Sequence, residues 1–177
     1  INDENFELFK KSFRSDIGYV QQLITLLDDS IQENVIFGRL NKFQNNTDQV
    51  LSVLKKSKIY DFCNTLDEGI DTMIGENGVR LSGGQRQRIG LARSLFLNPD
   101  IIILDEATSA LDSSTEKQII EDILSLDSKT IIFSTHKLRI LEKFDKILFF
   151  EPKGRVLSGK FDELMKTSEE FKNLVKN

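Results

Sequence analysis

The chain has 177 residues, 39% of them hydrophobic and 29% charged, which is ordinary for a soluble globular protein with one sizeable core. Its net charge of −4 gives it no basic footprint, so we expect no nucleic-acid partner. The apolar runs are strand-sized, no signal peptide is visible, and the single cysteine, Cys63, permits no internal disulfide and is predicted to be a small buried side chain.

The first residues are polar with scattered phenylalanines, and they predict a strand remnant, a loop and a short helical turn over residues 1–14. Residues 17–21 alternate between apolar and polar side chains, which predicts a β-strand that ends at Gln22. A glutamine in this position can belong to a site, or it can be a polar residue that closes an edge strand.

Helical signals dominate the next part of the chain. Ser30 and Glu33 have the spacing of a capping box, which predicts a short helix that begins at Ser30. After a polar linker at residues 41–46, apolar side chains recur at helical spacing over residues 47–66 and predict one or two amphipathic helices. Residues 66–80 are rich in turn formers and predict a loop.

The segment after this loop combines a helix start with a candidate anion site. Ser82 can cap a helix with its hydroxyl, and Gln85 completes the capping-box spacing. Gly83 and Gly84 then fall in the first turn, where N–H groups lack intrahelical partners, so a phosphate can approach the positive end of the helix dipole. The helix is predicted to stop at Asn98-Pro99. The alternative is an ordinary Ser-Gly-Gly turn.

A second candidate site follows directly. Residues 101–104 are a continuous apolar run, which predicts a buried parallel strand that ends in Asp105 and Glu106. Open α/β sheets bind ligands at the carboxyl ends of their strands. Two adjacent acids are costly to bury there unless a metal or a proton neutralises them, so we expect one acid to hold a metal and the other to act as a base. The alternative is an exposed pair in a loop.

Downstream of these acids the sequence predicts a helix at residues 113–126 and a buried strand at 130–134, which is followed by Thr135 and His136. His136 is the single histidine of the chain. A lone histidine is more often a surface or satisfied core residue than a catalytic one. The remaining residues are predicted to form a hairpin over 145–157 and helices at 161–166 and 168–176.

Three motifs together resemble those of one family. Leu81–Gln85 (LSGGQ), Ile101–Glu106 (IIILDE) and Ser109–Asp112 (SALD) resemble the signature, Walker B and D-loop of an ATP-binding cassette (ABC) ATPase. The resemblance implies an α/β fold, namely a partial P-loop NTPase core with an inserted helical subdomain. It divides the chain into a core segment at 1–22 that ends in the Q-loop, a helical signature subdomain at 23–98, and a core segment at 99–177.

The resemblance also implies roles for the site residues. Glu106 would polarise the attacking water, and His136 would be the switch histidine that contacts the γ-phosphate of ATP. Asp105 and Gln22 would hold Mg²⁺, and Gln22, as the Q-loop glutamine, would also link the nucleotide to a transmembrane partner. The implied cofactors are therefore ATP and Mg²⁺.

In the family two such domains pair head to tail, so the signature acts on nucleotide that the partner domain holds. Ser82, Gly83, Gly84 and Gln85 would contact that nucleotide, and Asp112 of the D-loop is assigned to the same binding role. The implied partner is a second nucleotide-binding domain. Whether the dimer contains two identical chains stays open.

Two further stretches, residues 30–38 and the X-loop-like residues 72–78, resemble the exporter branch of the family. They imply an ATP-hydrolysing subunit of an exporter, with transmembrane domains in the same polypeptide and a location on the cytoplasmic face of the cell membrane. Two alternatives remain: a soluble ABC protein of translation or DNA repair, and a non-catalytic regulatory fragment. The transported substrate stays open.

The phosphate loop of the family is not visible in these residues. Only Gly154–Lys160 comes close to the pattern G-x-x-x-x-G-K-[ST], but Phe161 stands where a metal-binding hydroxyl is needed, and Val156-Leu157 predicts a strand. We therefore reject it as a phosphate loop. The chain is expected to be a nucleotide-binding domain without its N-terminal Walker A portion, and to be inactive alone.

Overall fold

The computed structural model describes residues 17–37, 47–126, 128–152 and 154–176. Within these ranges the residues up to Ser134 form one compact unit, and those from Thr135 onward form a second. The predictions for residues 1–14 and for the linker at 41–46 lie outside the described residues. The predicted subdomain boundaries at residues 22 and 98 stay predictions.

The described part of the first unit alternates strands with helices. In chain order its elements are β1 (Ile17–Val20), α1 (Ile31–Ile36), α2 (Thr47–Lys56), α3 (Tyr60–Asn64), α4 (Gly83–Leu95), β2 (Ile101–Asp105), α5 (Ser113–Leu124) and β3 (Thr130–Ser134). Two short 3-10 helices, Gly69–Asp71 and Glu76–Gly78, lie in the predicted turn-rich loop. The sequence prediction of these strands and helices is confirmed, and the region 47–66, predicted to hold one or two helices, contains two.

The strands form a parallel sheet in the order β1-β2-β3, so β2 has a neighbour on both sides. Ile102 and Leu104 of β2 are buried, whereas Ile101 and Ile103 on its other face are half-buried. The prediction of a buried strand is wrong for β3, because none of its residues is buried and Ile132 is 52% exposed. Among the described strands β3 lies at an edge of the sheet. Ile131 and Phe133 on one face of β3 pack against the core, whereas Ile132 lies on the opposite, exposed face.

One hydrophobic core joins the sheet to the helices of this unit. Ile89 and Phe96, in and just after α4, are fully buried, as are Leu54 of α2 and Ile31 of α1. These side chains form one cluster with Ile102 of the sheet. Helix α4 therefore lies at the centre of the unit, and its position is fixed by apolar packing that stabilises the fold by roughly 1.5–3 kcal/mol per fully buried large side chain.

The segment between β1 and α2 is attached to α4 by polar contacts. Ser30 caps α1 as predicted, since its Oγ accepts a hydrogen bond from the Glu33 N–H at 3.1 Å, but its own N–H donates to Asp29 Oδ1 rather than to Glu33. The Arg93 guanidinium of α4 donates to Asn34 O at 2.8 Å and to Asn34 Oδ1 at 3.1 Å. Burial lowers the pKa of Arg93 to about 10. This arginine joins α1 to α4.

The second unit contains a short 3-10 helix, a hairpin and two helices: Leu138–Lys143, β4 (Ile147–Phe150), β5 (Val156–Gly159), α6 (Phe161–Thr167) and α7 (Glu169–Lys176). Phe171 is fully buried and meets the rings of Phe149 and Phe161 edge-on, with ring centroids 5.2 and 5.5 Å away. Because β5 is a hydrogen-bonded strand, the rejection of Gly154–Lys160 as an open phosphate loop is confirmed. Over the described ranges, no helix is long and apolar enough to cross a membrane.

Candidate active site

Asp105 is the last residue of the middle strand, and hydroxyl groups from both neighbouring strands hold its carboxylate. The Tyr19 hydroxyl donates to Oδ2 at 3.2 Å, and the Ser134 hydroxyl donates to Oδ1 at 2.6 Å. Partial desolvation and then the contact with Asp105 raise the pKa of Tyr19, so this phenol stays a donor at neutral pH. The parallel register places Asp105 beside Ser134, and the carboxylate orientation is therefore fixed by the sheet itself.

Glu106 begins the loop after β2 in a left-handed conformation, with φ of 46°. For a residue other than glycine this conformation is uncommon and costs on the order of 1–3 kcal/mol. The Glu106 N–H donates to Ser134 O and to Ser134 Oγ, both at 3.2 Å, and these contacts hold the backbone in place. Left-handed backbone geometry of this kind often accompanies functional residues.

The Glu106 side chain meets the glutamine that follows β1. Gln22 Nε2 donates to Glu106 Oε2 at 2.7 Å, across 84 residues of sequence. Two of the residues predicted for the site are therefore in direct contact, with Asp105 adjacent to one of them. The sequence alone left Gln22 as either a site residue or an edge-strand terminus, and this contact favours the first interpretation.

The predicted capping box at the start of α4 is confirmed. Ser82 Oγ accepts a hydrogen bond from the Gln85 N–H at 3.2 Å, and the Ser82 N–H donates to Gln85 Oε1 at 2.7 Å. Gly83 and Gly84 occupy the first turn as expected. A β-carbon on Gly84 would lie only 3.2 Å from the Ala110 carbonyl oxygen, so close packing is a second reason for glycine here.

Asp112 caps helix α5. Its Oδ1 accepts hydrogen bonds from the Ser114 N–H at 3.1 Å and the Thr115 N–H at 3.0 Å. Hydrogen bonds from the Thr115 side chain and backbone, and then from Ser114, hold the pKa of Asp112 below its ordinary value. The predicted nucleotide contact of Asp112 stays a prediction, while its capping role is a structural finding.

His136 lies in the second unit, two residues beyond β3 in sequence, and its side chain is exposed. The turn that contains it is held by the Lys137 N–H, which donates to Thr135 Oγ1 at 2.9 Å. The role assigned to His136 from sequence stays a prediction.

Comparisons with known proteins identify the family of this chain. A family model described as ABC transporter matches residues 2–109. The chain belongs to the ABC transporter family. It is 41% identical over 160 residues to an ATP-dependent lipid A-core flippase of Francisella novicida, covering 90% of this chain and 27% of that protein. It is 38% identical over 176 residues to a putative export ATP-binding/permease protein of Rickettsia felis, covering 98% of this chain and 30% of that protein.

The fold matches as well. A solved bacterial Atm1-family ABC exporter with ATP bound superimposes with a TM-score of 0.84 at 34% identity, over 93% of this chain and 29% of that chain. The predicted fold class, a partial ABC ATPase core, is confirmed. The chain spans 27% to 30% of the length of these two curated relatives.

Asp105, the acid predicted to hold Mg²⁺, offers the carboxylate oxygens that this ion prefers. In the described residues no group of three or more His, Cys, Asp or Glu side chains could hold a metal alone. Mg²⁺ is usually bound by one or two carboxylates together with phosphate oxygens and water rather than by a cage of protein ligands. A single oriented carboxylate with the nearby Gln22 amide fits that pattern.

An open groove lies between β1 and α4 of this ABC unit. It has a volume of about 390 Å³ and is lined by apolar side chains that include Ile24, Leu27 and Phe37. Leu27 and Phe37 are 41% and 44% exposed, and the Arg93 guanidinium lies 4.2 Å from the Phe37 ring centroid. The groove reaches the end of β1, since Tyr19 and Gln21 also line it.

Sequence reasoning missed three residues of this region: Tyr19, Ser134 and Gln87. Aligning the predicted strands by their carboxyl ends would have placed Ser134 beside Asp105, because parallel strands end at the same sheet edge. Tyr19 is less predictable, because the register pairs it with Ile103, two residues before Asp105, and only its long side chain reaches the carboxylate. Gln87 carries no local signal, since its partners lie 22 and 23 residues away.

Proposed function

We propose that this chain is the catalytic part of the ATP-hydrolysing domain that powers an exporter-type ABC transporter. The observation that carries the proposal is the contact of Gln22 Nε2 with Glu106 Oε2 at 2.7 Å, beside Asp105 at the carboxyl end of the sheet. It joins a polar amide, a candidate base and a candidate metal ligand at the sheet edge where α/β proteins bind ligands. The family membership supports ATP as the substrate.

In this mechanism Glu106 accepts a proton from the water that attacks the γ-phosphate of ATP. Gln22 orients the carboxylate through its hydrogen bond to Oε2. Asp105, held by Tyr19 and Ser134, would bind Mg²⁺ together with Gln22. When bound, Mg²⁺ neutralises the charge of the phosphate oxygens.

The partner we propose is a second nucleotide-binding domain in a head-to-tail dimer. The N-terminal turn of α4, with Ser82, Gly83, Gly84 and Gln85, would meet the phosphates of nucleotide that the partner domain holds. The glycines leave the N–H groups of the first turn accessible, and the dipole of α4 favours an anion at this end. His136 would contact the γ-phosphate, and Asp112 would take part in binding the nucleotide.

The groove between β1 and α4 is the surface we propose for the transmembrane part of the transporter. Leu27 and Phe37 line this groove and expose apolar surface there. Contiguous apolar patches of this kind mark interaction sites. Two relatives carry the words permease and exporter in their names, which supports a membrane partner and a location at the cytoplasmic face of the membrane. These names also favour an exporter over a soluble ABC protein.

The test is ATP hydrolysis by the full-length gene product. Glu106→Gln should keep ATP binding but nearly abolish turnover, since the amide is isosteric yet cannot act as a base. Glu170→Gln, an exposed change of the same chemistry on α7, is the matched control and should turn over normally. Full turnover by the Glu106→Gln protein would show that another group is the base.

A further inference from the structure

The loop between β2 and α5 is held by a side chain that sequence reasoning did not identify. Within the loop, the Ser109 N–H donates to Glu106 O at 3.0 Å and the Leu111 N–H donates to Thr108 O at 3.1 Å. The Ala110 N–H takes no part in these turns and donates to Gln87 Oε1 at 3.0 Å. The backbone between Glu106 and α5 is therefore anchored to helix α4.

The other end of the same amide holds the neighbouring residue. Gln87 Nε2 donates to Ser109 Oγ at 3.0 Å, and Gln87 is buried, with only 5% of its surface exposed. The NH₂ group of an amide can only donate, so the Ser109 hydroxyl oxygen accepts in this hydrogen bond. The hydroxyl proton of Ser109 is therefore directed to a different partner. Since Ser109 is exposed, that proton is available to an acceptor outside this unit.

The anchored loop packs against the glycines of the signature. A β-carbon on Gly83 would lie 3.4 Å from Ala110 Cβ, and one on Gly84 would lie 3.2 Å from Ala110 O. Gln87 lies three and four residues beyond these glycines, which is one helical turn along the same face of α4. The Gln87 side chain thus sets the distance between the N-terminal turn of α4 and the loop that starts at Glu106.

We propose that Gln87 is a positioning residue for ATP hydrolysis. It fixes the loop after Glu106 against the N-terminal turn of α4, and it makes the Ser109 hydroxyl a donor toward an acceptor on the opposing surface of the dimer. The inference rests on the proposed ATPase function. Gln87 is only 5% exposed and both ends of its amide bond to the loop, so it acts on the catalytic step through Glu106, Gly84 and Ser109.

The first test is steady-state ATP hydrolysis by the full-length gene product with Gln87→Met, which keeps the side-chain length but removes both hydrogen bonds. We expect kcat to fall by about 10- to 100-fold, the range seen when supporting hydrogen bonds of a site are removed, with KM for ATP little changed. Gln118→Met, on the exposed side of α5, is the matched control and should keep the parent kcat.

A second variant guards against a folding defect. Ser109→Ala alters an exposed residue and removes only the hydroxyl that Gln87 holds, so it should lower kcat by less than Gln87→Met does. In the double variant the loss of transition-state stabilisation should be smaller than the sum of the two single losses, since Gln87 and Ser109 share one contact. Unchanged kcat in both single variants of an active protein would overturn the proposal.

Hydrogen exchange separates this inference from the proposed function. In the full-length Gln87→Met protein the Ala110 amide should exchange about tenfold faster or more, because it has lost its acceptor, while amides inside α4 keep their protection. If the parent protein proves inactive, the ATPase function fails and the exchange result still decides the anchor. Unchanged Ala110 exchange overturns the proposal whatever the activity.

Discussion

Gln22 and Glu106 are separated by 84 residues in the sequence, yet the amide of one donates to the carboxylate of the other at 2.7 Å. The contact depends on the parallel pairing of β1 with β2, which brings Val20 opposite Leu104. The segments that follow the two strands therefore leave the sheet at the same edge. Gln22 lies two residues after Val20, and Glu106 lies two residues after Leu104. The sheet register therefore determines which amide orients the candidate base.

Removing the Gln22 amide should impair catalysis more than it impairs folding. Gln22 is exposed, so Gln22→Ala leaves no cavity, but Glu106 loses the donor that orients its carboxylate. We expect kcat of the full-length protein to fall by about tenfold or more, the scale associated with a lost supporting contact. Gln118→Ala removes an exposed amide from α5 and should leave kcat unchanged. Equal turnover in all three proteins would contradict an orienting role for Gln22.

Local signals in the sequence predicted most of the elements, because helix caps depend on residues three or four positions apart. The cap at Ser82 with Gln85 is such a case, and the structure has both hydrogen bonds of the box. The hydrogen bonds of Arg93 to Asn34 join residues 59 apart, and no periodicity in the sequence marks that pair. Long-range polar contacts follow from the packing of elements, which the sequence pattern does not specify.

The burial of β3 shows a related limit. Its run of apolar residues predicted a buried strand, and the strand forms in parallel register with β2. Burial also requires a covering layer, however, and Ile132 remains 52% exposed among the described residues. An apolar run thus predicts that a strand forms, whereas the burial of each face depends on what packs against it.

Asp112 should make stability depend on pH. Its carboxylate caps α5, and the capping hydrogen bonds hold its pKa below the ordinary value of about 3.9. Because the folded-state pKa is depressed, this stabilisation is fully present above the unfolded pKa and is lost as the pH falls through the folded pKa. Asp112→Asn keeps a capping oxygen without the titration.

The measurement is the thermal midpoint of the 177-residue polypeptide and its Asp112→Asn variant between neutral pH and the acid range below the carboxylate pKa. The thermal midpoint of the parent should fall relative to that of the variant as the pH falls through that range. A difference between the two proteins that stays constant with pH would show that the Asp112 charge does not contribute to the cap.

The 177-residue polypeptide alone should not bind ATP tightly. The 177-residue sequence contains no G-x-x-x-x-G-K-[ST] stretch, and the one near match, Gly154–Lys160, contains strand β5. Backbone N–H groups and the lysine of that loop supply most phosphate contacts in P-loop ATPases. Calorimetry with ATP and Mg²⁺ should therefore detect no binding at micromolar concentrations. Stoichiometric binding would mean that other residues of this chain form a complete nucleotide site.

The last prediction concerns whether the signature acts on its own nucleotide or on that of a partner domain. Gly84→Asp places a carboxylate where the Gly84 β-carbon would already lie 3.2 Å from Ala110 O, and it repels phosphate from the end of α4. Glu106→Gln removes the candidate base. The two changes can be placed in one protomer of a full-length dimer or divided between the two protomers, with identical composition in both cases.

If the signature of one protomer completes the site of the other, dividing the changes puts both into the same composite site and leaves the second site whole. Such a dimer should form ADP in a single turnover, whereas the dimer with both changes in one protomer has two damaged sites and should form almost none. If each signature serves its own protomer, the two arrangements exchange results. The arrangement that retains single-turnover ADP formation therefore distinguishes a head-to-tail dimer from two independent sites.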